Sequence, residues 1–162
     1  MMKIAFTQNN LPLSRLIRWA DGETVSHVVI VFDDKYVFQS NLYGVHIMTW
    51  EHFQKANKIM ALKSYDLGLV IEEECFQSIV PIEGDWYDFG ALLFWGLAVF
   101  RKKFFKTSLP KKNLWASDKF YTCVEVLRMM PKYIWPENAT DEVRNAEYTP
   151  GEVANILGAT WL

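Results

Sequence analysis

An α+β domain built around an antiparallel sheet is the fold class this sequence predicts, on three observations. Strand-type segments cluster before Leu62, helix-type segments cluster after it, and no repeat, linker or low-complexity stretch divides the chain. With 162 residues, 51% of them hydrophobic and 15% aromatic, the chain suffices for one domain, 1–162, with a core that needs neither disulfides nor a metal.

Taken in order, Lys3–Thr7 reads as a short strand. Leu11–Ala20 reads as a helix with Leu13, Leu16 and Ile17 on one face, closed by Asp21-Gly22. Val25–Phe32 is the strongest strand signal, apolar on both faces and so expected at the centre of the sheet. Asp33-Asp34-Lys35 makes a turn into a strand over Tyr36–Ser40, followed by strands at Gly44–Met48 and Lys58–Leu62. Thr49 caps a helical turn between the last two, and Leu67–Val80 has helical spacing before Pro81-Ile82-Glu83-Gly84-Asp85 breaks it.

A very apolar helix is expected from Trp86 to Phe100. Its uninterrupted apolar part, about 18 Å at 1.5 Å per residue, is too short for about 30 Å of bilayer hydrocarbon, which favours a core helix. Residues 101–112 then carry Arg101, Lys102, Lys103, Lys106, Lys111 and Lys112 without one acid. Such a run is either a solvated loop or a contact with an anionic surface. Pro131–Ala146 is loop-rich, and Thr149-Pro150-Gly151-Glu152 is a capping box that starts a last helix ending near Gly158.

Charge and cysteine usage exclude several function classes. A net charge of -2 argues against a general nucleic-acid binder. Cys75 and Cys123 form neither a CxxC motif nor zinc-ligand spacing, and His27, His46 and His52 do not complete one, so no metal is expected. The first ten residues hold too short an apolar stretch for a secretory signal, which gives a reducing, cytoplasmic location as the expectation.

Three residues carry candidate chemistry. Thr122-Cys123-Val124-Glu125, ahead of Val126-Leu127, is a second capping box with Cys123 at the first helical position. There the unpaired N–H groups and the helix dipole favour a thiolate, with an apparent pKa expected below the free-thiol value of about 8.5. The competing reading is a buried structural cysteine. His27 interrupts an apolar strand, where an imidazole needs partners for both nitrogens. If Asp33-Asp34-Lys35 is a three-residue loop, Phe32 faces Tyr36 and Gln39 becomes a diagonal neighbour of His27 on one sheet face. An even-numbered loop would send them to opposite faces. In odd register the Gln39 amide oxygen can take the proton of one imidazole nitrogen and leave the other for a thiol; a satisfied core histidine is the alternative. His46, alternating with apolar residues on a strand, and His52, on an exposed helical turn, carry less weight.

Ser26-His27-Val28, Val37-Phe38-Gln39-Ser40, Tyr87-Asp88-Phe89-Gly90 and Phe120-Tyr121-Thr122-Cys123-Val124-Glu125 together resemble the circularly permuted papain-like proteins of the NlpC/P60 superfamily. YiiX-type hydrolases and, more distantly, lecithin:retinol acyltransferase-like enzymes belong there. In them the histidine strand precedes the cysteine helix, as His27 precedes Cys123. The resemblance spans about residues 24–158. It implies a permuted papain-like fold with a sheet packed against a helical half, Cys123 as nucleophile, His27 as general base and Gln39 as orienter. It also implies Tyr87 and Tyr121 lining the substrate cleft. Val124 stands where Ser is frequent, and Gln39 where several members carry Glu or His. A neutral Gln39 orients His27 without stabilising an imidazolium by charge.

The implied reaction is acyl transfer through a thioester, without metal or organic cofactor, on an amide of a small or cell-wall peptide. A cell-wall substrate lies outside the cytoplasm, so it requires release by lysis or secretion, as for a phage or effector protein. A thiol acyltransferase or lipase acting on lipid esters and a non-catalytic binding module are the alternatives.

Overall fold

The computed structural model describes residues 1–88, 90, 105, 120–136 and 148–162. Six strands form one antiparallel sheet: β1 (Met2–Gln8), β2 (His27–Phe32), β3 (Tyr36–Asn41), β4 (Gly44–Thr49), β5 (Lys58–Tyr65) and β8 (Thr160–Trp161), in the order β4-β3-β2-β1-β5-β8. β1 and β2 are central, and both bury the two faces of their backbone. Met2, Ile4, Phe6, Val28 and Ile30 enter one core, while Ala5, Val29 and Val31 enter a second, smaller one.

Helices cover the two faces unequally. The larger core is closed by α3 (Leu69–Ile79), α4 (Cys123–Arg128) and α5 (Pro150–Ile156), which contribute Cys75 and Ile79, then Val124, Val126 and Leu127, then Val153 and Ala154. Phe53 of α2 (Trp50–Ala56) fills the smaller one against Val29, Val31 and Val37. Helix α1 (Pro12–Asp21) ends at Gly22, whose φ of 75° supplies the left-handed C-cap expected of Asp21-Gly22.

The first hairpin has the register read from the sequence. Phe32 faces Tyr36 and Ile30 faces Phe38 across a three-residue loop, with Asp33 and Asp34 both at φ 54°. Aspartate tolerates that left-handed geometry better than most residues, which is why these two can turn the chain without glycine. The second hairpin turns on Leu42-Tyr43, with Asn41 opposite Gly44 and Gln39 directly opposite His46. Gly44, at φ 94°, lies so close to the chain at residue 85 that a Cβ would come within 2.5 Å of the Asp85 carbonyl. Val45 N–H donates to that carbonyl at 2.8 Å, which docks the segment leading to Tyr87 beside β4.

One expectation needs correction. Trp86 and Tyr87 do not start a helix: they form β6 (Trp86–Tyr87), paired in parallel with β7 (Phe120–Tyr121) as a separate two-stranded sheet. Their apolar pattern is shared by strand and helix, and the choice was made by a partner 34 residues away, Trp86 against Phe120. The cysteine helix itself ends at Arg128. The apolar segment 91–100, nearly all of the basic stretch 101–112 and the loop 137–147 lie outside the described residues. Among the described residues no helix is long and apolar enough to cross a membrane.

Candidate active site

Cys123 sits where its sequence placed it. Thr122 Oγ1 accepts from the Glu125 N–H at 3.3 Å, the Glu125 carboxylate accepts from the Thr122 N–H at 2.6 Å, and Cys123 is the first helical residue between them. Ser40 of β3 donates to the Tyr121 carbonyl, fastening the approach to the cysteine onto the sheet. The parallel pair Tyr87↔Tyr121 brings the buried Tyr87 to the segment that leads into Cys123. Burial raises the ionisation range of the Tyr87 phenol, and the neighbouring Cys123, Glu125 and Asp88 raise it further.

His27 and Gln39 also meet. His27 Nε2 lies 3.0 Å from Gln39 Oε1, the diagonal contact expected from an odd loop. Phe53 closes over the imidazole with ring centroids 6.4 Å apart. The glutamine is almost wholly buried.

Cysteine and histidine reach the start of β2 from different sides. His27 shares the strand parity of Val29 and Val31, toward Phe53, whereas α4 packs on the side of Val28 and Ile30. The β2–β3 ladder ends at Ile30↔Phe38, and beyond it the Val28 N–H faces the Cys123 sulfur. The thiol therefore meets the β2 backbone at Val28, on the sheet face opposite the imidazole. No hydrogen bond joins Sγ to the ring among the described residues.

The electrostatics differ from what the helix position implied. Burial pushes the Cys123 thiol up to about 11, and the Glu125 carboxylate adds to the rise. The N–H groups of Val28, Cys123 and Val124 act in the opposite sense, favouring the thiolate, but do not prevail. The reason is visible in α4: six residues make a weak dipole, and the capping box that fixes Cys123 also brings a carboxylate beside it. Burial likewise lowers His27 to about 4, with nearby His46 pulling in the same direction and the Gln39 hydrogen bond opposing both. At neutral pH the resting pair is thus a thiol and a neutral imidazole, not an ion pair.

His46 is the residue that sequence reasoning undervalued. Its Nε2 lies 3.1 Å from Gln39 Nε2, and its Nδ1 lies 3.1 Å from the Gly44 carbonyl. Gln39 Nε2 also donates to Met48 Sδ at 2.8 Å. The signal was present in the second hairpin: the pairing argument used for Phe32 and Tyr36, applied to a two-residue Leu42-Tyr43 loop, puts His46 opposite Gln39. His52, in contrast, is exposed on α2 and takes no part.

No family model matches the chain, and neither a curated protein nor a solved structure does.

Proposed function

We propose that this chain is a cysteine hydrolase of permuted papain-like, NlpC/P60 type that cleaves an amide bond in a small or cell-wall peptide. The observation that carries the reading is the His27–Gln39 bond at Nε2, with no hydrogen bond to Nδ1 among the described residues, beside the strand position that contacts the cysteine helix. A histidine retained only to satisfy a core would engage both nitrogens.

In the proposed cycle the carbonyl carbon of the substrate binds against Cys123, and the imidazole, which lies on the other side of β2 at rest, has to turn toward Val28 to reach the thiol. Because both groups start neutral, His27 Nδ1 takes the thiol proton as sulfur attacks. A C–S bond forms, and the carbonyl oxygen becomes an oxyanion facing the N–H groups at the start of α4. The imidazolium then passes its proton to the leaving amine nitrogen as the C–N bond breaks, leaving a thioester. Water, deprotonated by His27, hydrolyses the thioester and restores the thiol. Tyr87 and Tyr121 flank the nucleophile and are assigned to substrate contact.

The test is turnover of synthetic cell-wall stem peptides and simple dipeptide amides, followed by mass spectrometry. Cys123→Ala is expected to abolish release of the amine product. His27→Ala is expected to lower it by about 10²–10⁴, the usual worth of a general base. Trapping with a peptidyl electrophile should label Cys123 in a His27-dependent way. Equal turnover by wild type and His27→Ala would reject the assignment.

A further inference from the structure

We infer that His46 is a positioning residue that locks His27 into the tautomer with an unprotonated Nδ1, acting through the amide of Gln39. The inference rests on hydrogen-bond direction. The Gly44 carbonyl can only accept, so His46 Nδ1, 3.1 Å away, carries the proton. The other nitrogen of a neutral His46, Nε2, is then an acceptor. It faces one nitrogen-bearing end of Gln39 at 3.1 Å, so the NH₂ group of that amide must lie on the His46 side. The second hydrogen of the same NH₂ reaches Met48 Sδ, again an acceptor.

With its nitrogen committed twice, Gln39 presents only Oε1 to His27. His27 Nε2 must therefore be the protonated nitrogen, and the lone pair is left on Nδ1. Turning the amide over would place oxygen against the His46 lone pair and against the Met48 sulfur. It would also place NH₂ against His27 Nε2, stabilising the tautomer that cannot accept a thiol proton. Gln39 is almost fully buried, so water does not offer the amide an easy substitute partner. A backbone carbonyl at the tip of one hairpin thus sets the proton position on a histidine two strands away, through Gly44, His46, Gln39 and His27 in turn.

Its catalytic consequence rests on the reading of His27 as general base, while the tautomer itself does not. The two are separated by measuring the ring nitrogens directly, with long-range ¹H–¹⁵N correlation spectra of the intact protein near neutral pH. Wild type is expected to show His46 as the Nδ1–H form and His27 as the Nε2–H form; either histidine in the other form overturns the inference without any variant. His46→Phe removes the acceptor and is expected to shift the His27 tautomer ratio by about 5- to 150-fold toward Nδ1–H, the range for one buried donor losing its partner. His46→Gln, which can offer its amide oxygen to Gln39, is expected to recover most of the wild-type ratio. Should His46→Phe not fold, the wild-type and His46→Gln spectra decide the matter. An unchanged His27 ratio in folded His46→Phe overturns it. Loss of the tautomer lock without loss of peptide turnover would count against the catalytic role of His27 and leave the lock standing.

Discussion

Alkylation of Cys123 as a function of pH tests the central electrostatic result, that burial outweighs the helix terminus. With the thiol at about 11 instead of the free-thiol value of about 8.5, the thiolate fraction at pH 7 is lower by about 300-fold. The higher basicity returns part of this, because thiolate nucleophilicity rises with a Brønsted slope of about 0.4–0.5, worth about 10- to 20-fold over that interval. The net expectation is labelling by iodoacetamide roughly 15- to 30-fold slower than that of a small free thiol at pH 7. The rate should climb about tenfold per pH unit to near pH 10, without a plateau between pH 5 and 8. Peptide mapping by mass spectrometry separates Cys123 from the fully buried Cys75, whose thiol burial also raises. A flat, fast profile from pH 5 to 8 that disappears in His27→Ala would mean a resting thiolate–imidazolium pair, and would refute the reasoning from burial.

Two further outcomes concern stability. His27 drops from 6.5 in the unfolded chain to about 4 in the fold, so the unfolded state binds the extra proton first. Its contribution is fully present above pH 6.5 and is lost as pH falls toward 4, by up to about 3 kcal/mol; urea unfolding at pH 7 and pH 4 should show this loss reduced in His27→Gln, and an identical loss in both proteins would contradict it. The second outcome concerns Glu23, just ahead of β2, whose carboxylate accepts from the Thr149 hydroxyl at 2.5 Å and from the Gly151 N–H at 2.8 Å at the start of α5. A Cβ on Gly151 would run into that carboxylate, so Gly151→Ala and Glu23→Ala should break the same contact. Each is expected to cost about 1–3 kcal/mol, with the double variant costing little more than either single one. Full additivity in thermal or denaturant unfolding would show that the two substitutions act separately.

How far the sequence reached follows from the range of the interactions involved. Hairpin register, both capping boxes and the diagonal His27–Gln39 contact are settled by residues within about a dozen positions of one another. There, loop length, side-chain period and cap chemistry leave few alternatives. Those same rules, extended one hairpin further, would have included His46. The parallel pairing of Trp86–Tyr87 with Phe120–Tyr121 could not be read this way, because a two-residue strand has no periodicity of its own and is defined by its distant partner.

By itself, then, the sequence determined how each candidate side chain is held locally: Cys123 at the first position of a capped helix, His27 on a central strand, Gln39 within hydrogen-bonding distance of it. Only the tertiary structure decided their charge. A helix terminus acts through nearby N–H groups that the sequence makes visible, but desolvation is imposed by everything that packs around a group. Phe53 over the imidazole and the sheet beneath the thiol come from far along the chain. Local pattern favoured a thiolate; long-range burial made it a thiol.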